Sequence, residues 1–155
     1  MDVENRPVVG VVEDSDDDFV LFARVFRDEW DLRRWTTGEE AIEEFRRDSR
    51  RLGELAVLVV DLSLAGIAGD EVVQRVREFP EGRQLPVCVF TGSRRDADRR
   101  RGMDTGADAF LVKPSDAERL RQLPELLAQL AGRREGRRHP APRDAAEPET
   151  RDRRR

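Results

Sequence analysis

Apolar and polar positions follow two alternating patterns along the first 131 residues of this chain. Three continuous apolar runs, "PVVGVVE", "LAVLVVD" and "LPVCVFTG", are typical of strands that are buried on both faces of a sheet. Two weaker runs, "DLRRWTT" and "ADAFLVKP", predict further strands. Because segments of helical periodicity separate the strands, the pattern predicts an α/β fold, a five-stranded parallel sheet with helices on both faces.

Most of the helical segments carry apolar residues on one face and charged residues on the other, whereas "SRRDADRRRGMDTG" is very polar. In chain order they are "DSDDDFVLFARVFRDEW", "TGEEAIEEFRRDSRRL", "AGDEVVQRVREF", "SRRDADRRRGMDTG" and "SDAERLRQLPELLAQL". Thr37 is predicted to cap the second of them. Ser115 and Glu118 have the S-x-x-E spacing of a capping box and predict the start of the last. Pro124 lies inside that last segment, where it predicts a kink.

The segment 132–155 differs in composition from the rest of the chain. It holds nine arginines, five acidic residues and three prolines, and no apolar side chain larger than alanine. Such a segment buries too little to order itself, so the sequence predicts a folded domain over 1–131 and a disordered, Arg/Pro-rich tail over 132–155. The net charge is −4 overall and +4 in the tail, which leaves about −8 on the domain.

Composition narrows the classes of function further. The single cysteine, Cys88, lies in an apolar run, so no disulfide framework is expected and a reducing, cytoplasmic location is predicted. No apolar run approaches the ~20 residues that span a bilayer, so no membrane segment is expected. The only histidine, His139, falls in the tail, which argues against histidine catalysis or a zinc site in the domain.

Polar residues follow the predicted strands at the edge where such sheets bind ligands. Glu13 and Asp14 end the first strand, Asp61 the third, Thr91 the fourth and Lys113, the only lysine, the fifth. Carboxylates ~4 Å apart repel by about 4 kcal/mol per pair at an effective dielectric near 20. A hard divalent cation relieves that repulsion, and an oxygen-only site suits Mg²⁺.

A metal ion beside an ammonium group makes a pocket for a phosphoryl group. The Thr91 hydroxyl can donate to one of its oxygens, and a carboxylate can accept the group to form an aspartyl phosphate. Asp61 is the best candidate acceptor, because it ends a central strand and stands apart from the Glu13–Asp14 pair.

These residues, with the stretches "VVDLSLAGIAGDEVV", "PVCVFTGS" and "GADAFLVKP", resemble the receiver domains of bacterial two-component response regulators. The resemblance covers about residues 7–131. It implies a flavodoxin-like, doubly wound (βα)5 fold of strand order 2-1-3-4-5, similar to the chemotaxis regulators.

The resemblance also implies a role for each matched position. Asp61 matches the phosphoacceptor, and Lys113 matches the phosphate-binding lysine. The implied Mg²⁺ ligands are Glu13, Asp14, Asp61 and the backbone carbonyl of Ser63. The implied switch residues are Thr91 and Phe110. The peptide bond before Pro114 is expected to be cis, as in the family.

The implied function is that of a single-domain response regulator, a signalling switch that catalyses only its own phosphotransfer and dephosphorylation. The expected donor is a sensor histidine kinase or a histidine phosphotransfer protein. The expected output is a downstream protein partner that binds the last two helices and the last strand. No helix-turn-helix pattern follows residue 131, so no direct DNA binding is expected. Homodimerisation is left open.

Two departures leave the partner surface undetermined. Ala65 stands where the family usually has proline, and the fourth helical segment is crowded with arginine. The stretch "VEDSDDDFVLFARVF", residues 12–26, is similar to stand-alone receivers that include the partners of phytochrome-type histidine kinases.

Two other readings remain open at this point. The first is a receiver-shaped docking module whose output does not depend on phosphate; the intact acidic pocket counts against it. The second is an aspartate-nucleophile phosphatase. Those enzymes usually carry a second aspartate two residues after the nucleophile, where this chain has Ser63.

Overall fold

Five short parallel strands form one sheet in the part of the chain that the computed structural model describes, residues 5–92, 100–102 and 104–136. The strands are β1 (Val8–Val12), β2 (Asp31–Trp35), β3 (Val57–Asp61), β4 (Val87–Thr91) and β5 (Ala109–Val112). Their order across the sheet is β2-β1-β3-β4-β5, and every neighbouring pair is parallel. The predicted doubly wound fold is therefore confirmed.

Helices cover both faces of the sheet. They are α1 (Asp16–Phe26), α2 (Gly38–Arg47), α3 (Arg50–Gly53), α4 (Gly69–Glu78), α5 (Ala117–Arg121) and α6 (Leu123–Gly136), with a 3-10 turn at Pro80–Gly82. Residues 100–102 and 104 are helical and belong to the predicted arginine-rich helix, most of which lies outside the described residues. No helix in the described ranges is both long and apolar enough to cross a membrane.

The core has two layers because the central strands bury both faces. All five positions of β3 are buried, as its continuous apolar run predicts. Phe22 and Phe26 of α1 pack with Leu127 of α6 against one face. Phe45 of α2 and Val76 of α4 pack against the other. Helices thus pack on both faces of the sheet, and this packing fixes the positions of the residues at its carboxyl edge.

The second helical segment is shorter than its pattern predicts. The cap at Thr37 is confirmed, since its hydroxyl accepts a hydrogen bond from the Glu40 amide at 3.1 Å. The helix ends at Arg47, however, because Asp48 is extended, with φ −151° and ψ 95°. The Asp48 carboxylate accepts the Arg50 amide at 3.2 Å, a local bond of the kind by which aspartate competes with a continuing helix.

The last helical segment is also interrupted. The predicted cap at Ser115 is wrong: Asp116 caps α5 and accepts the Arg119 amide at 2.8 Å, and aspartate is as good a cap as serine. Pro124 does not kink one long helix. It lies in the first turn of α6, where its missing N–H is not needed.

The final helix runs to Gly136, five residues into the segment predicted to be unordered. Ala131 and Gly132 line a cleft together with Asn5 and Arg6, next to the edge where the strands begin. The domain boundary at 131 stays a prediction, because residues 137–155 lie outside the described residues.

Candidate functional site

The carboxyl edge of the sheet gathers the polar residues that end the strands. Glu13, directly after β1, and Asp61, at the end of β3, are 5% and 4% exposed. Thr91 ends β4 and is fully buried. Asp61 pairs in register with Phe90, so Thr91 lies one residue beyond Asp61 on the neighbouring strand.

Three carboxylates converge at this edge. Glu13, Asp14 and Asp61 each offer one oxygen, and these three oxygens lie within 4.8 Å of one another. Glu13 and Asp61 are buried, whereas Asp14 is exposed, so the cluster opens to solvent on one side. An all-oxygen set with open access fits Mg²⁺, which retains several waters in its protein sites.

Lys113 balances part of this negative charge. Its ammonium nitrogen lies 3.0 Å from Oδ2 of Asp61 and 2.9 Å from Oε2 of Glu13. A third carboxylate, that of Asp18, lies closer still, with its Oδ2 at 2.7 Å from the ammonium nitrogen. Lys113 thus contacts the acidic cluster, as its place at the end of the last strand predicts. Asp18 was not among the predicted site residues.

A signal for Asp18 is nevertheless present in the sequence. Asp18 precedes Phe22 and Phe26 by four and eight residues, and both phenylalanines are buried. Helical spacing therefore puts Asp18 on the inward face of α1, at the end nearest the carboxyl edge of the sheet. Of the three aspartates in the first turn of α1, only Asp18 has this spacing.

Burial and the neighbouring charges shift the protonation of this cluster. Burial raises the pKa of Glu13 to about 7, against the hydrogen bond from Lys113 and with the help of the Asp61 charge. Burial alone would lower the pKa of Lys113. The hydrogen bonds to Asp18, Glu13 and Asp61 outweigh it and raise that pKa, so the lysine remains an ammonium at neutral pH.

The loop after β3 is fastened to the cluster by its amides. Ser63 donates its backbone N–H to Oδ1 of Asp61 at 3.0 Å, and Ala65 donates to Oδ2 of Asp14 at 3.3 Å. The bond from Ala65 depends on the departure from the family pattern, because a proline there would have no N–H. The loop therefore makes direct contact with two of the three converging carboxylates.

The loop between β1 and α1 is held by Arg34 of β2. The Arg34 Nε donates to the backbone carbonyl of Glu13 at 3.1 Å, and Nη1 lies 2.8 Å from Oδ1 of Asp16. The guanidinium also lies over the Phe19 ring, 4.6 Å from its centroid. Ser15 donates its amide to Oε1 of Glu13 at 3.1 Å, which orients that carboxylate.

Phe110 lies apart from the acidic cluster. It is a half-buried residue of β5, paired in register with Val89. Its ring lies against Gly102, where an added Cβ would come within 2.8 Å of the Phe110 Cε2 atom. The ring therefore packs against Gly102, in the described part of the arginine-rich helix.

The peptide bond between Lys113 and Pro114 is trans, so the expected cis bond is wrong: no cis peptide occurs in the described ranges. Proline lowers the preference for trans to roughly 0.5–1 kcal/mol without reversing it, so neither isomer follows from the residue alone. The Lys113 amide donates to the Thr91 carbonyl at 2.7 Å, continuing the ladder between β4 and β5.

Comparison with known proteins agrees with this geometry. The family model of the response regulator receiver domain matches residues 9–125. The phosphate regulon transcriptional regulatory protein PhoB of Rhizobium meliloti is 34% identical over 125 residues, 80% of this chain and 50% of that protein. This chain thus spans about half the length of that relative.

Solved structures share the fold. A putative response regulator from Chloroflexus aurantiacus is 26% identical, with a TM-score of 0.67 over 80% of this chain and 99% of that one. The chemotaxis response regulator CheY4 of Vibrio cholerae is 22% identical, with a TM-score of 0.67 over 79% and 99% of the two chains. From the matched residues and the fold, the chain belongs to the response regulator receiver domain family.

Proposed function

We propose that this receiver domain accepts a phosphoryl group on the carboxylate of Asp61 and signals by changing conformation. The observation that carries the proposal is the setting of Asp61: it is buried, its Oδ2 lies 3.0 Å from the Lys113 ammonium, and its Oδ1 accepts the Ser63 amide. A buried carboxylate with a fixed cation beside it suits a nucleophile that must attract an anionic phosphoryl donor.

Receiver domains act with histidine kinases and downstream effectors. The proposed donor is therefore the phosphohistidine of a sensor kinase or of a histidine phosphotransfer protein. An oxygen of Asp61 forms the new bond to phosphorus while the bond between phosphorus and the imidazole nitrogen breaks, and the imidazole keeps that electron pair. The similarity to partners of phytochrome-type kinases remains a prediction about which kinase is involved.

The residues that would hold Mg²⁺ are Glu13, Asp14, Asp61 and the backbone carbonyl of Ser63. The oxygens of the three side chains already lie within 4.8 Å of one another, which supports this assignment. When bound, the ion supplies positive charge that offsets the negative charge of the phosphoryl oxygens during transfer. Lys113 supplies a second positive charge, since its ammonium contacts both Asp61 and Glu13.

Phosphorylation changes the charge at the end of β3. An aspartyl phosphate carries up to two negative charges where the free carboxylate carries one. Thr91, buried at the end of the next strand, is proposed to turn its hydroxyl to the phosphoryl oxygens. Phe110 is proposed to respond on β5, and the last strand with the last two predicted helices is proposed to present the output surface. Phosphorylation would shift the equilibrium between two conformations of the domain that already exist.

Phosphorylation with acetyl phosphate and Mg²⁺ tests the proposal. Intact-mass spectrometry should show the addition of one phosphoryl group, and alkali should remove it. Asp61→Asn should abolish the addition, whereas Asp17→Asn, which removes the same charge from an exposed position of α1, should not. If the wild-type protein gained no phosphoryl group, the phosphate-independent docking module would be favoured. If Asp61→Asn still gained one, another residue would be the acceptor.

A further inference from the structure

Lys113 has as many carboxylate partners as it has N–H bonds. A lysine ammonium carries three donors. They meet Asp18, Glu13 and Asp61 at 2.7, 2.9 and 3.0 Å. A phosphoryl oxygen can therefore be bound by Lys113 only if one of these carboxylates gives way.

Asp18 differs from the other two partners. Glu13 and Asp61 belong to the cluster that would hold Mg²⁺, so a bound ion would compete with Lys113 for both carboxylates. Asp61 also gives up its own charge when it is phosphorylated. Asp18 is outside that cluster, and neither event removes its hold on the ammonium. Its side chain is 44% exposed, so it can return to water when the pair opens.

We propose that Asp18 governs how readily Asp61 accepts a phosphoryl group, by competing with the phosphoryl oxygens for the ammonium of Lys113. The proposal rests on the proposed function of Asp61. Asp18 is a positioning residue, since it acts through Lys113.

Asp18 disfavours phosphoryl acceptance by Asp61 in two ways. It keeps one of the three N–H groups of Lys113 from the phosphoryl oxygens, and its negative charge repels an anionic phosphoryl donor at short range. Before metal or a phosphoryl group binds, Glu13 and Asp61 also hold the Lys113 ammonium within 3.0 Å, so Lys113 stays in the site without Asp18. Removing the charge of Asp18 should therefore assist phosphoryl acceptance.

The single lysine provides a direct probe of this competition. Lysine labelled with ¹³C gives one set of side-chain signals, those of Lys113, in an NMR spectrum of the full chain. The variants are Asp18→Asn, which removes the charge and keeps the shape, and Asp18→Glu, which keeps the charge. Asp17→Asn is the matched control, with the same loss of charge one residue away.

Beryllofluoride, which stands in for a phosphoryl group on a carboxylate, is titrated at saturating Mg²⁺. In Asp18→Asn the Lys113 signals should differ from wild type before any addition, and half-saturation should need several-fold less beryllofluoride. The rate of labelling by acetyl phosphate should rise by a similar factor. Asp17→Asn should stay near wild type, and Asp18→Glu, which keeps the negative charge, should gain less than Asp18→Asn.

Unchanged or weaker beryllofluoride binding by Asp18→Asn would overturn the proposal, as would Lys113 signals identical to wild type. An equal gain in Asp17→Asn would also overturn it, because general charge removal would then be the cause. Wild-type protein that binds no beryllofluoride would refute the proposed function, and this inference with it. Wild-type binding with no effect of Asp18→Asn would refute the inference alone.

Discussion

The carboxylate of Glu39 in α2 lies so close to Gly66, in the loop after β3, that a Cβ added at Gly66 would collide with it. The same carboxylate accepts the Ile67 amide at 2.7 Å. Gly66 has φ +76°, a conformation that other residues adopt only with strain. Helix α2 therefore helps to set the path of the loop that begins beside Asp61.

Gly66→Ala should destabilise the protein through this loop. The positive φ and the contact with Glu39 together predict a loss of roughly 1–3 kcal/mol in the free energy of unfolding. Acetyl phosphate should also label Asp61 more slowly, because the loop carries the Ser63 amide that binds its carboxylate. Urea denaturation and the labelling rate are the measurements.

Gly132→Ala is the matched control for that substitution. Gly132 is exposed in α6, and a Cβ there would meet nothing within 4 Å. Alanine should leave stability unchanged or raise it by up to about 1 kcal/mol, through helix propensity. If both substitutions gave the same change in unfolding free energy, the strain assigned to Gly66 would be wrong.

Magnesium should stabilise the folded protein by mass action, because the three carboxylate oxygens are brought together only in the folded state. A thermal melt should shift upward in millimolar Mg²⁺ for wild type and for Asp17→Ala. Asp14→Ala removes one of the three oxygens and should lose most of the shift. A shift that is absent in wild type, or equal in Asp14→Ala, would speak against the metal site.

Lys113→Arg tests whether the site needs an ammonium or only a positive charge. Three carboxylates surround the Lys113 nitrogen at 2.7–3.0 Å, an arrangement that suits a compact ammonium better than a planar fork. The variant should still be labelled at Asp61, yet beryllofluoride should no longer shift the amide signals of β5 as it does in wild type. A wild-type response would mean that charge alone is sufficient.

Cys88 should make stability depend on pH above 9. Burial, with a smaller effect of Asp108, raises the pKa of the thiol from 9.0 to about 12. Between these values the unfolded chain has lost the proton while the folded protein keeps it. The stabilisation present below pH 9 is therefore lost as pH rises, at roughly 1.4 kcal/mol per pH unit.

The comparison of wild type with Cys88→Ala isolates this effect. The variant should be less stable at pH 8, because it leaves a small cavity in the core. Its unfolding free energy should fall less steeply from pH 8 to pH 10 than that of wild type. Equal slopes would show that the thiol does not titrate differently in the two states.

The sheet and the edge that carries the site were predictable because they follow from simple periodicity. Continuous β-branched runs mark strands buried on both faces, and parallel strands bring their last residues to one edge. This is why Glu13, Asp61 and Lys113 could be grouped although they lie far apart in the chain. Family resemblance added the strand order and the roles, which periodicity alone does not contain.

Two of the misses share a physical cause. Asp48 and Asp116 each accept a nearby backbone amide through a side-chain oxygen, and short polar side chains have several such options. The contact of Asp18 with Lys113 joins residues far apart in the chain and depends on tertiary packing. Serine and aspartate compete for a cap on nearly equal terms, so the shift from Ser115 to Asp116 was not decided by sequence. The support from Glu39 to the loop after β3 depends on tertiary packing alone.

The direction of α6 separates two parts of the surface. Ala131 and Gly132 near the end of the helix line the same cleft as Asn5, at the edge where the strands begin. Asp61 lies at the end of β3, at the opposite edge of the sheet. A molecule bound in that cleft would therefore not contact the carboxylate cluster, so the two edges of the sheet can be occupied at the same time.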